Sequence, residues 1–205
     1  KLKEGGCKTV FFGIETGDEA LRNSLLNKKI RDEQIYQASR LLKNYGIKFR
    51  TYNMVGLPGE TLENMWKTVK MNIDIKTDYP WCAIFQPFAQ TRLGDYAKQS
   101  GFVVEDGGRH ESTSYFQSTS IKSDHKNEIV NLQKLFFYAV KFPKLFPLIK
   151  KIIKMRPNPI FGVFFLISYG WGYYKSENLC FLEMVFIGLR NFKSLFNYEV
   201  FNNEK

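Results

Sequence analysis

Glu15 stands at the end of "KTVFFGIETG", an almost wholly apolar run. An unpaired carboxylate is costly in such surroundings. A carboxylate projecting from the top of a sheet could accept hydrogen bonds from a ligand's hydroxyls or amino group. It could equally cap a helix or sit in a salt bridge. A second candidate is the turn "VGLPGE", Val55–Glu60, where two glycines and a proline separate an alternating run from a helix-like one. Glycine at a strand end lets a backbone approach a ligand closely and leaves its N–H and C=O groups available. A third is "QPFAQT", Gln86–Thr91. Gly-Pro turns after strands are also common for structural reasons alone.

Other chemistries fail on spacing. "GLPGET" does not match the P-loop pattern, and "GIETGDE" does not match the dinucleotide fingerprint. His110 and His125 are the only histidines, fifteen positions apart with no cysteine near, so both read as surface residues rather than zinc ligands. Cys7, Cys82 and Cys180 match no Cys-x-x-Cys spacing. They predict a reduced, cytoplasmic chain with small buried thiols, no disulfide framework and no complete metal site of its own. No Ser/His/Asp nucleophile arrangement is visible.

The elements that must position these candidates follow from periodicity. A buried strand is predicted over Lys8–Glu15, and Asp18 is a good cap for the helix after it. A helix over Asp32–Tyr45 puts Ile35, Ala38, Leu41, Leu42 and Tyr45 on one face and closes at Gly46. "FRTYNMV" is a strand with Phe49, Thr51, Asn53 and Val55 on one side and Arg50, Tyr52 and Met54 on the other. A helix over about Thr61–Ile75 follows, then a strand, Trp81–Phe85, and a short helix ending near Gly101. Strand and helix alternate three times, which predicts βαβ units and a parallel sheet. Three strands are too few for a closed barrel. The sheet is expected to need partners upstream of Lys1 or from another chain. The first residue is not Met, and no signal peptide follows it. Three segments result: an α/β unit over 1–104, a Gly/Ser/Thr-rich linker over 105–123, and a helical basic-aromatic extension over 124–205, broken at Pro143, Pro147, Pro157 and Pro159.

With 205 residues and 44% apolar content the chain can bury a core. Its net charge of +10 is uneven: residues 121–205 hold 13 Lys+Arg against 6 Asp+Glu. From Ile129 to Ser176 there are eight basic residues, twelve aromatics and no acid. "PIFGVFFLISYGWGYY" is uncharged for 16 residues, short of the roughly 20 that span a bilayer. The segment 129–176 reads as a helical cap over the open barrel or as a peripheral contact with anionic lipid. Nucleic-acid binding is disfavoured, because no recognition motif accompanies the basic residues.

Three words, in order and at this spacing, resemble the fourth to sixth strands of the radical S-adenosylmethionine (SAM) core domain: "GGCKTVFFGIETGDEALRNSLLNKK", "LLKNYGIKFRTYNMVGLPGET" and "QPFAQTRLGDYAKQSGF". The variant they resemble most has a cobalamin-binding domain and includes anaerobic magnesium-protoporphyrin ester cyclase and many methyltransferases. The resemblance covers about residues 1–101. It implies the second half of a partial (β/α)6 TIM-type barrel followed by the helical extension. It implies SAM as cofactor, with Glu15 on its ribose or methionine part and Lys28 facing its carboxylate. The backbone around Met54 and Gly56 would hold the adenine, with Pro58 and Gly59 shaping the turn. A [4Fe–4S] cluster is implied too, but the Cys-x3-Cys-x2-Cys loop and the Gly-Gly-Glu-type motif do not occur here. Ala89-Gln90 replaces the family's Pro-Gly before Thr91. The expectation is therefore the C-terminal part of a longer enzyme, inactive alone, whose cluster ligands and cobalamin domain lie outside this chain. The reaction would be methyl transfer or ring formation on a small molecule, with a hydrophobic lipid or tetrapyrrole suiting the tail. The competing reading is a non-enzymatic half-barrel remnant that binds a membrane or a partner.

Overall fold

The computed structural model describes residues 1–104, 115–116, 118–177 and 182–183. Three strands, β1 (Thr9–Glu15), β2 (Lys48–Val55) and β3 (Tyr79–Ile84), form one parallel sheet in the order β1-β2-β3. Helices α1 (Glu19–Ser24) and α2 (Asp32–Asn44) connect the first two strands, and α3 (Leu62–Asp74) connects the second pair. The molecule is thus a mixed α/β structure with a small parallel sheet. Helix α4 (Arg92–Gln99) follows β3. The remainder is helical: α5 (Lys126–Lys141), a 3-10 turn at Pro143–Leu145, α6 (Phe146–Ile152) and α7 (Pro159–Ser176).

Alternation in β2 sorts side chains between two faces. Phe49 and Val55 are fully buried in the layer shared with α2, α3 and α5. Thr51 and Asn53 point the same way and bond Asn72 of α3: Thr51 Oγ1 donates to Asn72 Oδ1 at 2.6 Å, and Asn72 Nδ2 donates to Asn53 Oδ1 at 2.8 Å. Buried polar groups of this kind are tolerated because each finds a partner. Helix starts are marked as expected. The Asp18 carboxylate accepts from the Leu21 N–H at 2.9 Å, and Thr61 forms a reciprocal box with Asn64. Gly46 ends α2 at φ 62°.

The buried face of α2 differs from the expected one. Ile35, Ser39 and Leu42 meet the sheet, whereas Ala38, Leu41 and Tyr45 are exposed, Leu41 and Tyr45 at 60% each. The apolar stripe is wider than the surface it has to cover, so its flank remains outside.

The two edges of the sheet are unlike. Beyond β3, the Ile84 N–H donates to the Tyr115 carbonyl at 2.8 Å, and Gln133 Nε2 of α5 donates to the Cys82 carbonyl at 3.2 Å. β1 pairs only with β2, and among the described residues no strand lies on its other side. The face opposite the helices is partly covered by α7. Arg50 reaches across it, its guanidinium 4.9 Å from the Phe11 ring centre, 5.4 Å from Trp81 and 5.8 Å from Tyr173. It also donates to the Gly172 carbonyl at 3.2 Å and to Ser176 Oγ, anchoring the end of α7. Of the predicted 105–123 linker, residues 105–114 and 117 lie outside the described residues. Ile121 is buried against Leu57 and Phe85, and it bridges Val103.

Candidate functional site

The site is built where β1 ends. The ladder between β1 and β2 shifts register between Gly13 and Glu15, and Glu15 takes a left-handed backbone at φ 67°. A residue with a Cβ pays about 1 kcal/mol or more for that conformation. The twist turns the carboxylate back over Gly13. There Lys28 Nζ donates to Glu15 Oε1 at 2.6 Å and to the Gly13 carbonyl at 2.7 Å. The pair fills the space beside Gly13: a Cβ there would stand 2.1 Å from Glu15 Oε1 and 2.7 Å from Lys28 Nζ, so these flexible ends would have to shift to admit one. Both side chains are about one-quarter exposed, at 25% and 26%. They are reachable from solvent while resting on the strand end.

Lys28 is placed by the short loop between α1 and α2. Asn27 and Lys29 on either side of it both have positive φ, and the Lys28 N–H donates to the Arg22 carbonyl at 3.2 Å. Arg22 itself is fully buried. Its Nη1 donates to the Thr16 carbonyl at 2.7 Å, its Nε to the Ile30 carbonyl at 3.0 Å, and its Nη2 to the Asp32 carboxylate. One guanidinium, on the helix before the loop that carries Lys28, thus ties the exit of β1 to the far end of that loop. Sequence reading missed it, because "EALRNSLL" looks like an ordinary surface helix.

At the end of β2, Gly56 and Gly59 both take positive φ, at 76° and 73°, with Leu57 and Pro58 between them. The turn closes around Glu60, whose Oε2 accepts from the Gly56 N–H at 2.7 Å and from the Leu57 N–H at 3.1 Å. The expectation that these amides stand free for a ligand is therefore corrected for Gly56. Its N–H, like that of Leu57, is taken up inside the turn, so at Gly56 the group left for a ligand is the carbonyl, as an acceptor. Met54 points to the face away from α3 and packs with Leu57 and Phe85. Gln86, at the end of β3, donates to the Ser118 carbonyl at 2.9 Å. Gln90 adopts a left-handed backbone at φ 63°.

Glu60 is almost entirely buried, and its Oε1 has no hydrogen-bond partner among the described residues. Burial pushes its carboxyl up to about 8, against the pull of the two backbone amides. An acid whose pKa is higher folded than unfolded binds more protons when folded. The contribution of this group to stability is then greatest below about pH 4.5 and falls as pH rises towards 8. Glu60→Gln keeps an oxygen for the two amides and removes the buried charge. We expect the variant to match or exceed the parent's melting temperature at pH 8 and to flatten the loss between pH 5 and pH 8. A parent whose melting temperature rises over that interval would contradict a raised pKa.

The described residues do not fit an iron–sulfur cluster. No group of three His, Cys, Asp or Glu among them is placed to hold a metal. Cys82 is buried in the helix-side core, where burial pushes its thiol well up, and Cys7 lies ahead of β1. Cys180 and His110 lie outside the described residues. A carboxylate, a cation and a strand-end carbonyl converge at Gly13, donors and acceptors of the kind a small zwitterionic ligand could use. Of the six expected SAM contacts, Glu15 and Lys28 touch each other; Met54, Gly56, Pro58 and Gly59 belong to the neighbouring strand end.

Residues 1–71 match the model of the radical SAM superfamily. The chain is also 31% identical over 112 residues to a protein named an uncharacterized methyltransferase from Pyrococcus horikoshii, an alignment that covers 55% of this chain. The aligned part spans about a quarter, 24%, of that relative's length.

Proposed function

We propose that this chain supplies SAM-binding strand ends to a radical SAM enzyme, with methyl transfer as the reaction class. Residues 1–101 would form the second half of a partial (β/α)6 barrel. The observation that carries the reading is the Glu15–Lys28 pair seated over Gly13 at the C-terminal end of β1, inside the segment that matches the superfamily. Parallel α/β folds bind ligands at that end of their strands. The unpaired edge of β1, set against the covered edge of β3, supports adding the remaining strands on the β1 side.

Ligand binding exchanges one ion pair for two contacts. Lys28 turns to the methionine carboxylate of SAM, a charge-assisted partner for an ammonium. Glu15, released, accepts from the ribose hydroxyls. The adenine packs near Met54 and meets a carbonyl of the Gly56 turn, since the Gly56 amide belongs to Glu60. Bound SAM supplies an activated methyl group and an adenosyl group. The protein's share is to orient it. The cluster ligands, and cobalamin if the resemblance to that subgroup extends to chemistry, would come from outside these 205 residues.

The test is equilibrium dialysis of SAM against the product of the longest reading frame that contains this chain. Lys28→Met and Glu15→Gln are each expected to weaken binding about tenfold, the loss of one charge-assisted contact. Each should change stability by less than about 1 kcal/mol, as for a partly exposed pair. Parent-like affinity in both variants rejects the site. A corrinoid absorption spectrum in the purified holoprotein would support the cobalamin subgroup, and its absence after reconstitution would remove it.

A further inference from the structure

Helix α7 carries a surface that the SAM site does not use. Its 18 residues are apolar nearly all round. A helix of that composition is normally buried on every side. Among the described residues only one side is covered, where Phe161, Ser168, Gly172 and Ser176 face the rest of the protein. On the other side Ile160, Val163, Phe164, Ile167 and Trp171 are 42–64% exposed. Their spacing of three and four places them in one line along the helix axis. The apolar surface continues onto the next element. Tyr138 of α5 packs edge-on against Phe164 and stacks on Phe142, itself 51% exposed.

One cation stands beside this line, and others are exposed on the chain just before the helix. Lys175 lies 4.9 Å from the Trp171 ring centre and 5.0 Å from that of Tyr174. Arg156 is exposed just ahead of the helix, and Lys144, Lys151 and Lys154 are exposed on the segment before it. No Asp or Glu occurs between Glu128 and Glu177. No described helix is long and apolar enough to cross a membrane.

We infer that α7 lies flat on an anionic lipid bilayer, its Ile160–Trp171 line sunk below the headgroups and the flanking lysines on lipid phosphates. An apolar line beside cations, with an aromatic ring at its end, matches the layered polarity of a bilayer surface. An acid-free surround matches the negative potential of anionic lipid. A protein partner would need an apolar groove some 27 Å long for a helix of this length. A bilayer needs no such complement. The surface is separate from Glu15 and Lys28, so the inference stands whether or not SAM binds there.

The experiment is co-sedimentation of the full chain with vesicles of phosphatidylcholine, alone or mixed with phosphatidylserine, at low and high salt. Binding is expected to the mixed vesicles and to weaken with salt. Ile167→Glu should lower partitioning about tenfold or more, because it puts a carboxylate below the headgroups. Lys144→Ala should lower it about fivefold. Both side chains are exposed, so unchanged circular dichroism would show that folding is intact. Brominated acyl chains should quench the fluorescence of the parent, and Trp171→Phe should remove most of that quenching while binding persists. Three results overturn the inference: no sedimentation with either vesicle, partitioning unaltered by Ile167→Glu, or self-association in ultracentrifugation that Ile167→Glu abolishes, which would make the occupant a second copy.

Discussion

Gly17→Ala is expected to cost about 3 kcal/mol or more, a large effect for a single methyl group. The reason is a backbone contact rather than a conformational preference. A Cβ on Gly17 would lie 2.4 Å from the carbonyl oxygen of Lys67, 2.5 Å from its carbon and 2.6 Å from the Thr68 Cα. Those are atoms of α3, which cannot rotate away as a side chain can. The close approach is also used: the Gly17 N–H donates to Thr68 Oγ1 at 2.8 Å. Asp18 next to it binds Lys67 and Asn64 of the same helix at 2.8 and 2.9 Å. Displacing α3 therefore breaks several bonds together. A chain of this size should lose roughly 6–12 °C in melting temperature. Gly170→Ala in α7 is the control. A Cβ there meets nothing within 4 Å, and its φ is not positive. Helix propensity alone should make it neutral or stabilising by up to about 1 kcal/mol. Equal melting temperatures for the two variants would show that α3 does not sit against Gly17.

Arg22→Met is expected to cost about 3 kcal/mol, the lower end for opening a buried ion pair, because Asp32 keeps 39% of its side chain in solvent. The Thr16 and Ile30 carbonyls also lose their donors. Arg22→Lys should recover only a small part, since an ammonium cannot reproduce the planar fork that meets three acceptors in different directions. A second readout separates this role from general packing. Because Arg22 fixes the loop that carries Lys28, both variants should weaken SAM binding at temperatures where they remain folded. Full stability with lysine at position 22 would refute the account of the fork.

The parts of this molecule that a reader of the sequence can see are those settled within a few residues. The alternation of β2 sorts its faces correctly because a strand has only two. Asp18 and Thr61 mark helix starts because a short side-chain acceptor meets the amide three residues on. Gly46 ends a helix where a left-handed residue is needed. What stayed hidden depends on distant partners. Arg22 looks like a solvent-facing helix residue until Thr16 and Ile30 fold round it. Arg50 holds the end of α7, 122 positions away at Gly172, a pairing that no local pattern reports. The outward turn of Leu41 and Tyr45 follows from how much surface the sheet offers α2. Glu60 lay between these cases. A carboxylate straight after Gly-Leu-Pro-Gly could have been suspected of closing its own turn.

The candidate site divides along the same line. Glu15 stood out because a charge ended an apolar run. Lys28 came from the family resemblance, and the structure sets it 2.6 Å from Glu15 by means of three left-handed residues, Glu15, Asn27 and Lys29. Whether that pair is a SAM contact can be read directly. The longest reading frame containing the chain, labelled with 13C at its methionine methyls, would be titrated with SAM. The account predicts that the Met54 signal shifts and saturates, that Met65 and Met71 in the helix-side core stay in place, and that Lys28→Met moves the saturation point to about tenfold higher SAM. A Met54 signal unmoved at saturating SAM, or a titration that Lys28→Met leaves unchanged, would contradict it.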